Sequence, residues 1–456
     1  MINPLHSRSG RLRTLFLLYV TEGIPLGFAA TAIATEMRRR GLGPAAIGGF
    51  VAALYLPWAW KWAIGPVVDV IASERWGRRR GWILATQLAM VATLLTAMTL
   101  DVSTQLGLFT AVIVVHNLFG ATQDVAIDAL ACHVLPPEER GVANGLMFGG
   151  AYLGQTIGGA GVLFARDQLN QPLGPVLAWQ ASFVLVSLVI LGITALVVWP
   201  LREPAYPPRP PIVGPALLHI AKEISKFLRD TWHAFADSRP AKVGVLYALL
   251  PAGAMSLSMS LASNLTVELG LADGEIANLN LWGTVIAASC CILGGYISDR
   301  LGRRRMLTLY LLLTIAPTLW LAWQLRRYGW ELPIAPDAPG RPSVPPQLPA
   351  ALWIASLLYA VPQGLAYGTR TALFMDVTRP AVAATQFTAY MALMNVSISY
   401  TARWQGWAAE RWGYPVTMAI DAAAALIGLP LLLWMVQPRA ELEPAESPQA
   451  PEHLAS

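Results

Sequence analysis

Seven charged side chains stand inside long apolar stretches of this chain: Glu22, Lys61, Asp124, Asp128, Arg370, Arg403 and Asp421. Charge in apolar surroundings is expensive, so each one is a candidate for function. The densest group lies between His116 and Ala129. Asp124 and Asp128 are four residues apart and share a helical face, Gln123 adjoins them, and Asn117 sits two turns earlier on nearly the same face. Like charges at that spacing repel, so one carboxyl either holds a proton or meets a cation, for which Lys61 and Arg370 are the candidates. The bland alternative makes the two acids caps for nearby arginine-rich loops. His116 is read as a polar core residue with a proton role as the alternative. Glu22, beside Gly23-Ile24-Pro25, suits reversible protonation or a structural pair with a base. Lys61 follows Pro57-Trp58-Ala59-Trp60 and precedes Trp62; its stem can snorkel, and the tryptophans read as an interfacial belt before a ligand stack. Arg370 has Gln363 two turns above it and offers a fixed cation to a carboxylate. Arg403 and Asp421 lie nearer the ends of their stretches.

The surroundings of these residues define the class. The chain has 456 residues, of which 55% are hydrophobic and 13% charged. A soluble protein carries about 25% charge, so the bilayer is the expected solvent here. Twelve stretches reach the length of a membrane helix: approximately 12–34, 45–68, 81–100, 106–132, 142–164, 176–199, 243–266, 275–297, 306–325, 349–375, 383–407 and 414–437. These are spans one to twelve below. Gly23-Ile24-Pro25 and Val361-Pro362-Gln363-Gly364 are expected to interrupt spans one and ten. The net charge of +5 comes largely from arginines in short loops, which favours membrane orientation over nucleic acid as its purpose. With the N-terminus inside, 21 basic residues fall in cytoplasmic segments and 8 in outer ones, so both termini are expected in the cytoplasm. Arg38, Arg39 and Arg40 run against this and face outward. Cys132, Cys290 and Cys291 read as small buried hydrophobes. The first apolar stretch is too long for a cleaved signal. No nucleophile, metal or phosphate motif suggests an enzyme.

One motif occurs twice. Gly65-Pro66-Val67-Val68-Asp69 precedes Gly77-Arg78-Arg79-Arg80, and Gly295-Tyr296-Ile297-Ser298-Asp299-Arg300-Leu301-Gly302 precedes Arg303-Arg304-Arg305. The first copy has five extra residues between its Asp and its Gly. Gly120 and Pro136 recur as Gly364 and Pro380 at an offset of 244. Gly-x-x-x-Asp with Gly-Arg-Arg resembles the loop between helices two and three of the major facilitator superfamily, and its recurrence resembles that superfamily's two six-helix halves. Gly77-Arg78-Arg79-Arg80-Gly81-Trp82, Gly120-Ala121-Thr122-Gln123-Asp124 with Asp128-Ala129, Pro136-Pro137-Glu138-Glu139-Arg140-Gly141 and Ala384-Thr385-Gln386-Phe387 resemble its AmpG-like branch. That branch includes anhydromuropeptide permeases, acetyl-CoA transporters and siderophore importers of the RhtX/FptX type. Muropeptide permeases tend to carry a base soon after the second Asp of span four, where this chain has Ala129-Leu130-Ala131-Cys132-His133. Val142-Ala143-Asn144-Gly145, with Gly149-Gly150 and Gly154, looks more like the siderophore importers, although small residues also serve close helix packing.

The expectation is an all-α membrane protein of twelve helices in two pseudo-symmetric halves, 1–199 and 243–437. A linker, 200–242, joins them with a Pro-rich run from Pro204 to Pro211 and a basic amphipathic helix on the inner leaflet. An acidic tail, 438–456, is expected to be disordered. The resemblance implies an inner-membrane secondary transporter that works by alternating access, as a monomer and without a cofactor. It imports a bulky polar solute with protons, first a ferric siderophore, with an anhydromuropeptide as the alternative. Export, or a non-transporting assembly or sensor role on the same fold, are the rivals. Substrate and proton coupling fall to Glu22, Lys61, Asn117, Gln123, Asp124, Asp128, Gln363 and Arg370. Gating falls to Gly65, Asp69, Gly77, Arg78, Arg79, Gly295, Asp299, Arg300, Gly302 and Arg303, whose contacts form and break as the halves rock.

Overall fold

The computed structural model describes residues 3–71, 75–136, 139–204, 215–236, 239–258, 260–377 and 383–435. Most of the Pro-rich run, Pro380 and the acidic tail lie outside them. Within hydrocarbon every backbone N–H and C=O needs an internal partner, and helices provide it. The described residues of the twelve apolar stretches are accordingly mostly helical. Among the described residues, eight helical stretches are long and apolar enough to cross a membrane. The longest, Leu146–Val198, is 53 residues. It turns at Gly174, whose φ of 75° is open to glycine alone without strain, and so contains most of span five and all but the last residue of span six.

Two spans are broken, though not where the Gly-Pro pairs led the sequence reading to expect. Span one runs unbroken from Arg8 to Arg39. A wide turn over Phe28–Ile33 absorbs the mismatch that follows Pro25. Span ten is one helix, Gln347–Asp376, with Pro362 inside it. Span two instead divides at Trp60 into Pro44–Ala59 and Lys61–Val70. Span seven divides into Arg239–Ala248 and Ser260–Glu268. Side chains satisfy the backbone freed in this second break. Asp421 Oδ2 accepts from the N–H groups of Met255 (2.7 Å) and Ser256 (2.8 Å), Thr314 Oγ1 accepts from Ala254 N–H (2.9 Å), and Tyr400 donates to the Leu249 carbonyl (2.6 Å). Asp421 is therefore a cap for a broken helix, and Gln405 Nε2 donates to its second oxygen at 2.8 Å.

Small residues set the helix spacing. A Cβ on Gly150, Gly154 or Gly158 of span five would stand 2.4, 2.2 or 2.0 Å from the carbonyl oxygens of Phe16, Val20 and Ile24 in span one. A Cβ on Gly48 or Gly406 would press spans two and eleven apart in the same way. Gly120, whose Cβ would meet Trp58 of span two, and Gly364, whose Cβ would meet Ala287 of span eight, do the same job in the two halves.

The hydrophobic cores show how the halves sit. At the end of the bundle away from the motif loops, one core is shared: Ile33, Phe50 and Phe183 cluster with Leu265, Leu348 and Tyr414. At the motif-loop end each half has its own core, one built on Leu15, Ile83 and Ile127 and the other on Leu307, Phe374 and Tyr390. The halves are joined at one end and part toward the other. The Ala216–Ala236 helix lies between them in sequence. Lys222, Lys226 and Arg229 are exposed on it, as are Leu217, Leu218 and Trp232.

A charged cavity between the halves

Span four carries Asp124 and Asp128 on one face, and the break at Trp60 turns Lys61 of span two toward that face. Lys61 Nζ contacts Asp124 and lies 3.1 Å from Asp128 Oδ2. Asp124 is almost fully enclosed, with 4% of its side chain exposed, whereas Asp128 keeps 42% exposed. Tyr19 of span one donates its hydroxyl to Asp128 Oδ1. Glu22, one turn further along span one, is within electrostatic reach of Asp124, Asp128 and Lys61, and its Oε2 is buried without a hydrogen-bond partner among the described residues. Lys61 is thus the cation that meets the two acids, and the alternative of acids capping the arginine-rich loops is set aside.

Asn117 and Gln123 do not join this cluster, because their side chains point into helix packing. Both are fully buried. Asn117 Nδ2 donates to the Leu54 carbonyl (3.2 Å), and Gln123 Nε2 donates to Thr21 Oγ1 (3.0 Å), which also accepts from Gln87 Nε2 (3.2 Å). His116 is a buried core residue: its Nδ1 sits 3.0 Å from both Thr93 Oγ1 and the Met90 carbonyl, while its Nε2 has no hydrogen-bond partner among the described residues.

The opposite wall comes from span ten. Arg370 forms no ion pair or hydrogen bond among the described residues, and its Nε is buried without a partner. Around it, within electrostatic reach, stand Tyr152 of span five, Tyr247 of span seven, and Tyr359 and Tyr367 of span ten. Tyr152 and Tyr367 meet edge to face across the two halves, ring centroids 6.4 Å apart. Tyr367 is also within electrostatic reach of Glu22, so the two charged walls stand near one another across the halves. Gln363 is half-buried two turns before Arg370. The sequence reading missed these tyrosines, since a tyrosine in an apolar helix carries no charge to mark it.

It also missed the seal at the closed end. Arg38 of span one, 2% exposed, pairs with the fully enclosed Glu268 of span seven, which also accepts from Tyr414 and from Ile334 N–H (3.1 Å). Beside them Arg39 pairs with Asp273 (2.8 Å), Arg166 with Glu36 (2.6 Å), and Arg40 with Glu36 (2.6 Å). These acids neutralise the three arginines that ran against the orientation rule. Glu36 and Arg166, charges at the edge of apolar stretches, were the available signal.

At the open end the motif loops keep common geometry. Gly77 and Gly302, the second glycine of each copy, have φ of 89° and 96°, which only glycine adopts without strain. Arg303 Nε bonds Asp299 (2.8 Å), and its Nη1 bonds Asp376 at the end of span ten. Arg300 stacks on Tyr296 at 4.1 Å. Arg78 and Arg79 are buried; Arg79 and Arg80 donate backbone N–H groups to Glu203 (2.9 and 2.5 Å). Gly65 and Gly295 face open space. The side chain of Asp69 lies outside the described residues.

Two halves joined at one end, with ionisable side chains facing each other between them and the same arginine loop in each, define a membrane transporter class. The Major Facilitator Superfamily model matches residues 15–400 and 243–456, and the chain belongs to that superfamily. A nucleoside transporter structure superposes with a TM-score of 0.63 at 12% identity, covering 94% of this chain and 100% of that one. An inward-open xylose transporter from E. coli gives 0.63 at 11% identity, covering 94% and 99%. Among curated proteins, the anhydromuropeptide permease of Escherichia coli is 27% identical over 429 residues, 93% of this chain and 79% of the permease. A putative transporter, AmpG 4, of Rickettsia conorii is 24% identical over 300 residues, 64% of this chain and 68% of that protein. Within the superfamily the chain sits in the AmpG-like branch.

Proposed function

We propose that the protein is a proton-coupled importer of a bulky polar solute, working by alternating access with both termini in the cytoplasm. The observation that carries this reading is the Lys61, Asp124, Asp128 and Glu22 cluster on one wall of a cavity whose halves part toward the motif loops. Under this orientation the conformation is inward-facing. Three carboxylates against one ammonium form a group that takes up protons as the cavity closes and loses its water. Proton uptake by this carboxylate group weakens its hold on Lys61 and lets the N-terminal wall rearrange with the rocking motion. The solute binds at the interface near midplane, the arrangement common to transporters built from repeated halves.

An anhydromuropeptide is the favoured solute, because the E. coli permease aligns over most of both chains. A ferric siderophore is the second reading, favoured by the uncharged run Ala129-Leu130-Ala131-Cys132 after Asp128 and by the glycines of span five. Span-five glycines packed on span one lessen the weight of the second argument. The test is accumulation of each labelled solute in cells with and without the protein, and with and without a protonophore. The expected result is uptake of one solute that needs both the protein and the gradient. Loss of the protein that raises cellular solute would reverse the direction to export. Unchanged levels of both solutes would move the reading to a non-transporting role.

A further inference from the structure

We infer that Arg370 is the anchor for a carboxylate, or another compact anionic group, on the transported solute, with Tyr152, Tyr359 and Tyr367 forming the walls around that group. This rests on the transport reading and names the chemical class of its solute.

The argument is one of elimination among the charges. Lys61 occupies Asp124 and Asp128. Asp421 is saturated by Met255, Ser256 and Gln405. Asp299 and Asp376 hold Arg303 at the open end, and Glu268 holds Arg38 at the closed end. Glu22 has Lys61, Asp124 and Asp128 as its charged neighbours, and Arg370 is left mid-span without an ion pair among the described residues. A guanidinium at that depth needs compensation, and its planar fork suits two parallel bonds to a carboxylate. The surroundings fit a ligand rather than a missing protein partner. Among the described residues the Tyr247 hydroxyl is buried without a hydrogen bond, and Tyr359 reaches only Ser258 Oγ at 3.2 Å. Tyr152 and Tyr367 come from opposite halves, so a solute seated on Arg370 touches both and senses their separation. Tyrosine presents an apolar ring with a polar tip, suited to a solute with both sugar or amide faces and an anionic end.

Cys291 supplies a reporter. A Cβ on Gly368 would lie 3.1 Å from its Sγ, and it is within electrostatic reach of Tyr152 and Tyr367. In a Cys132→Ser, Cys290→Ser background, only Cys291 remains for N-ethylmaleimide. The experiment uses the full-length protein in proteoliposomes. The probes are labelled anhydromuropeptide, the same molecule with its carboxylates converted to amides, and a ferric carboxylate siderophore with its ester. The expected result is that one acid form is taken up and protects Cys291, and that its neutral form binds about ten- to a hundredfold more weakly. Arg370→Gln lowers affinity for the acid to that of the neutral form and removes the protection; Arg370→Lys is intermediate. Equal handling of acid and neutral forms by the wild type, or full affinity in Arg370→Gln, overturns the inference and leaves transport standing. Recovery of Arg370→Gln by a second change, Glu22→Gln, makes Glu22 the partner of Arg370 in another conformation and also overturns it. No uptake and no protection with any probe overturns the transport reading and the inference together.

Discussion

Removing the charge of Glu268 should open the sealed end of the bundle. Arg38 and Glu268 are 2% and 0% exposed and join spans one and seven across the two halves. Taking one member of a buried pair leaves the other uncompensated, at about 3–5 kcal/mol. Arg38 retains the carbonyls of Leu42 and Ile334, each at 2.9 Å, so the lower figure, about 3 kcal/mol, applies to Glu268→Gln. The penalty falls on the sealed state, because parting of the halves lets Arg38 hydrate. About 3 kcal/mol is roughly 150-fold in an equilibrium constant. A distribution of 1 open to 99 sealed would become about 3 to 2. Spin labels at Thr104 and Gln347, exposed positions on the two halves at this end, report the change by pulsed EPR in a cysteine-free background. Glu268→Gln should add a longer distance at about half the population. Arg38→Met with Glu268→Leu, which leaves no stranded charge, should return most of the protein to the short distance. A single unchanged distance in Glu268→Gln would refute the reasoning, as would a double variant as open as the single one.

Three further outcomes follow from the same geometry. Lys61→Met strands Asp124, 4% exposed, and should abolish uptake and lower the melting temperature of the purified protein; adding Asp124→Asn should recover part of the melting temperature, with a coupling of about 1–3 kcal/mol, and strict additivity would show that the pair carries no weight. Gly154→Val places a Cβ 2.2 Å from the Val20 carbonyl and should cost about 1–3 kcal/mol through forced separation of spans one and five, whereas Gly149→Ala, facing open space, should leave thermal unfolding in detergent unchanged. If the Ala216–Ala236 helix lies on the bilayer, Trp232, 73% exposed in the protein, is in lipid, and Trp232→Phe should reduce the fluorescence quenched by brominated lipids; equal quenching would place the helix in water.

The span pattern and the repeated loop were legible because both are local. A run of about 20 apolar residues needs no tertiary knowledge, and Gly77 and Gly302 share a backbone conformation that glycine alone adopts freely. Asp124 and Asp128 stood out for the same reason, being charges in the wrong solvent. Their partner was not legible: Lys61 and Arg370 were equal candidates until the break at Trp60 placed Lys61 against span four. Asn117 and Gln123 look like cavity residues on a helical wheel, yet they bond to Leu54 and Thr21, because which polar face meets a neighbouring helix depends on packing that no single helix encodes. The proline positions misled for a related reason. Pro25 and Pro362 sit in continuous helices, while the real breaks are held by contacts from distant residues such as Asp421.

The repeat clarifies why the two walls of the cavity differ. The separation between Gly65 and Gly295 carries Lys61 onto Cys291, and the offset between Gly120 and Gly364 carries Asp124 onto Gly368 and Asp128 onto Ala372. In the N-terminal half Lys61 touches Asp124. In the C-terminal half the equivalent positions are also neighbours, since a Cβ on Gly368 would lie 3.1 Å from Cys291 Sγ. The backbone meeting point of spans two and four is thus preserved between spans eight and ten, but its ion pair is not. Without those carboxylates the C-terminal wall offers Arg370 no counter-charge at this point, while the N-terminal wall has Ala126 where Arg370 would fall. On the proton-coupled reading proposed above, one half keeps the carboxylates that would exchange a proton, and the other keeps a cation that cannot lose one. A solute anion and a proton can then occupy the same cavity without competing for the same residue, the condition under which the two can be carried together in one rocking cycle.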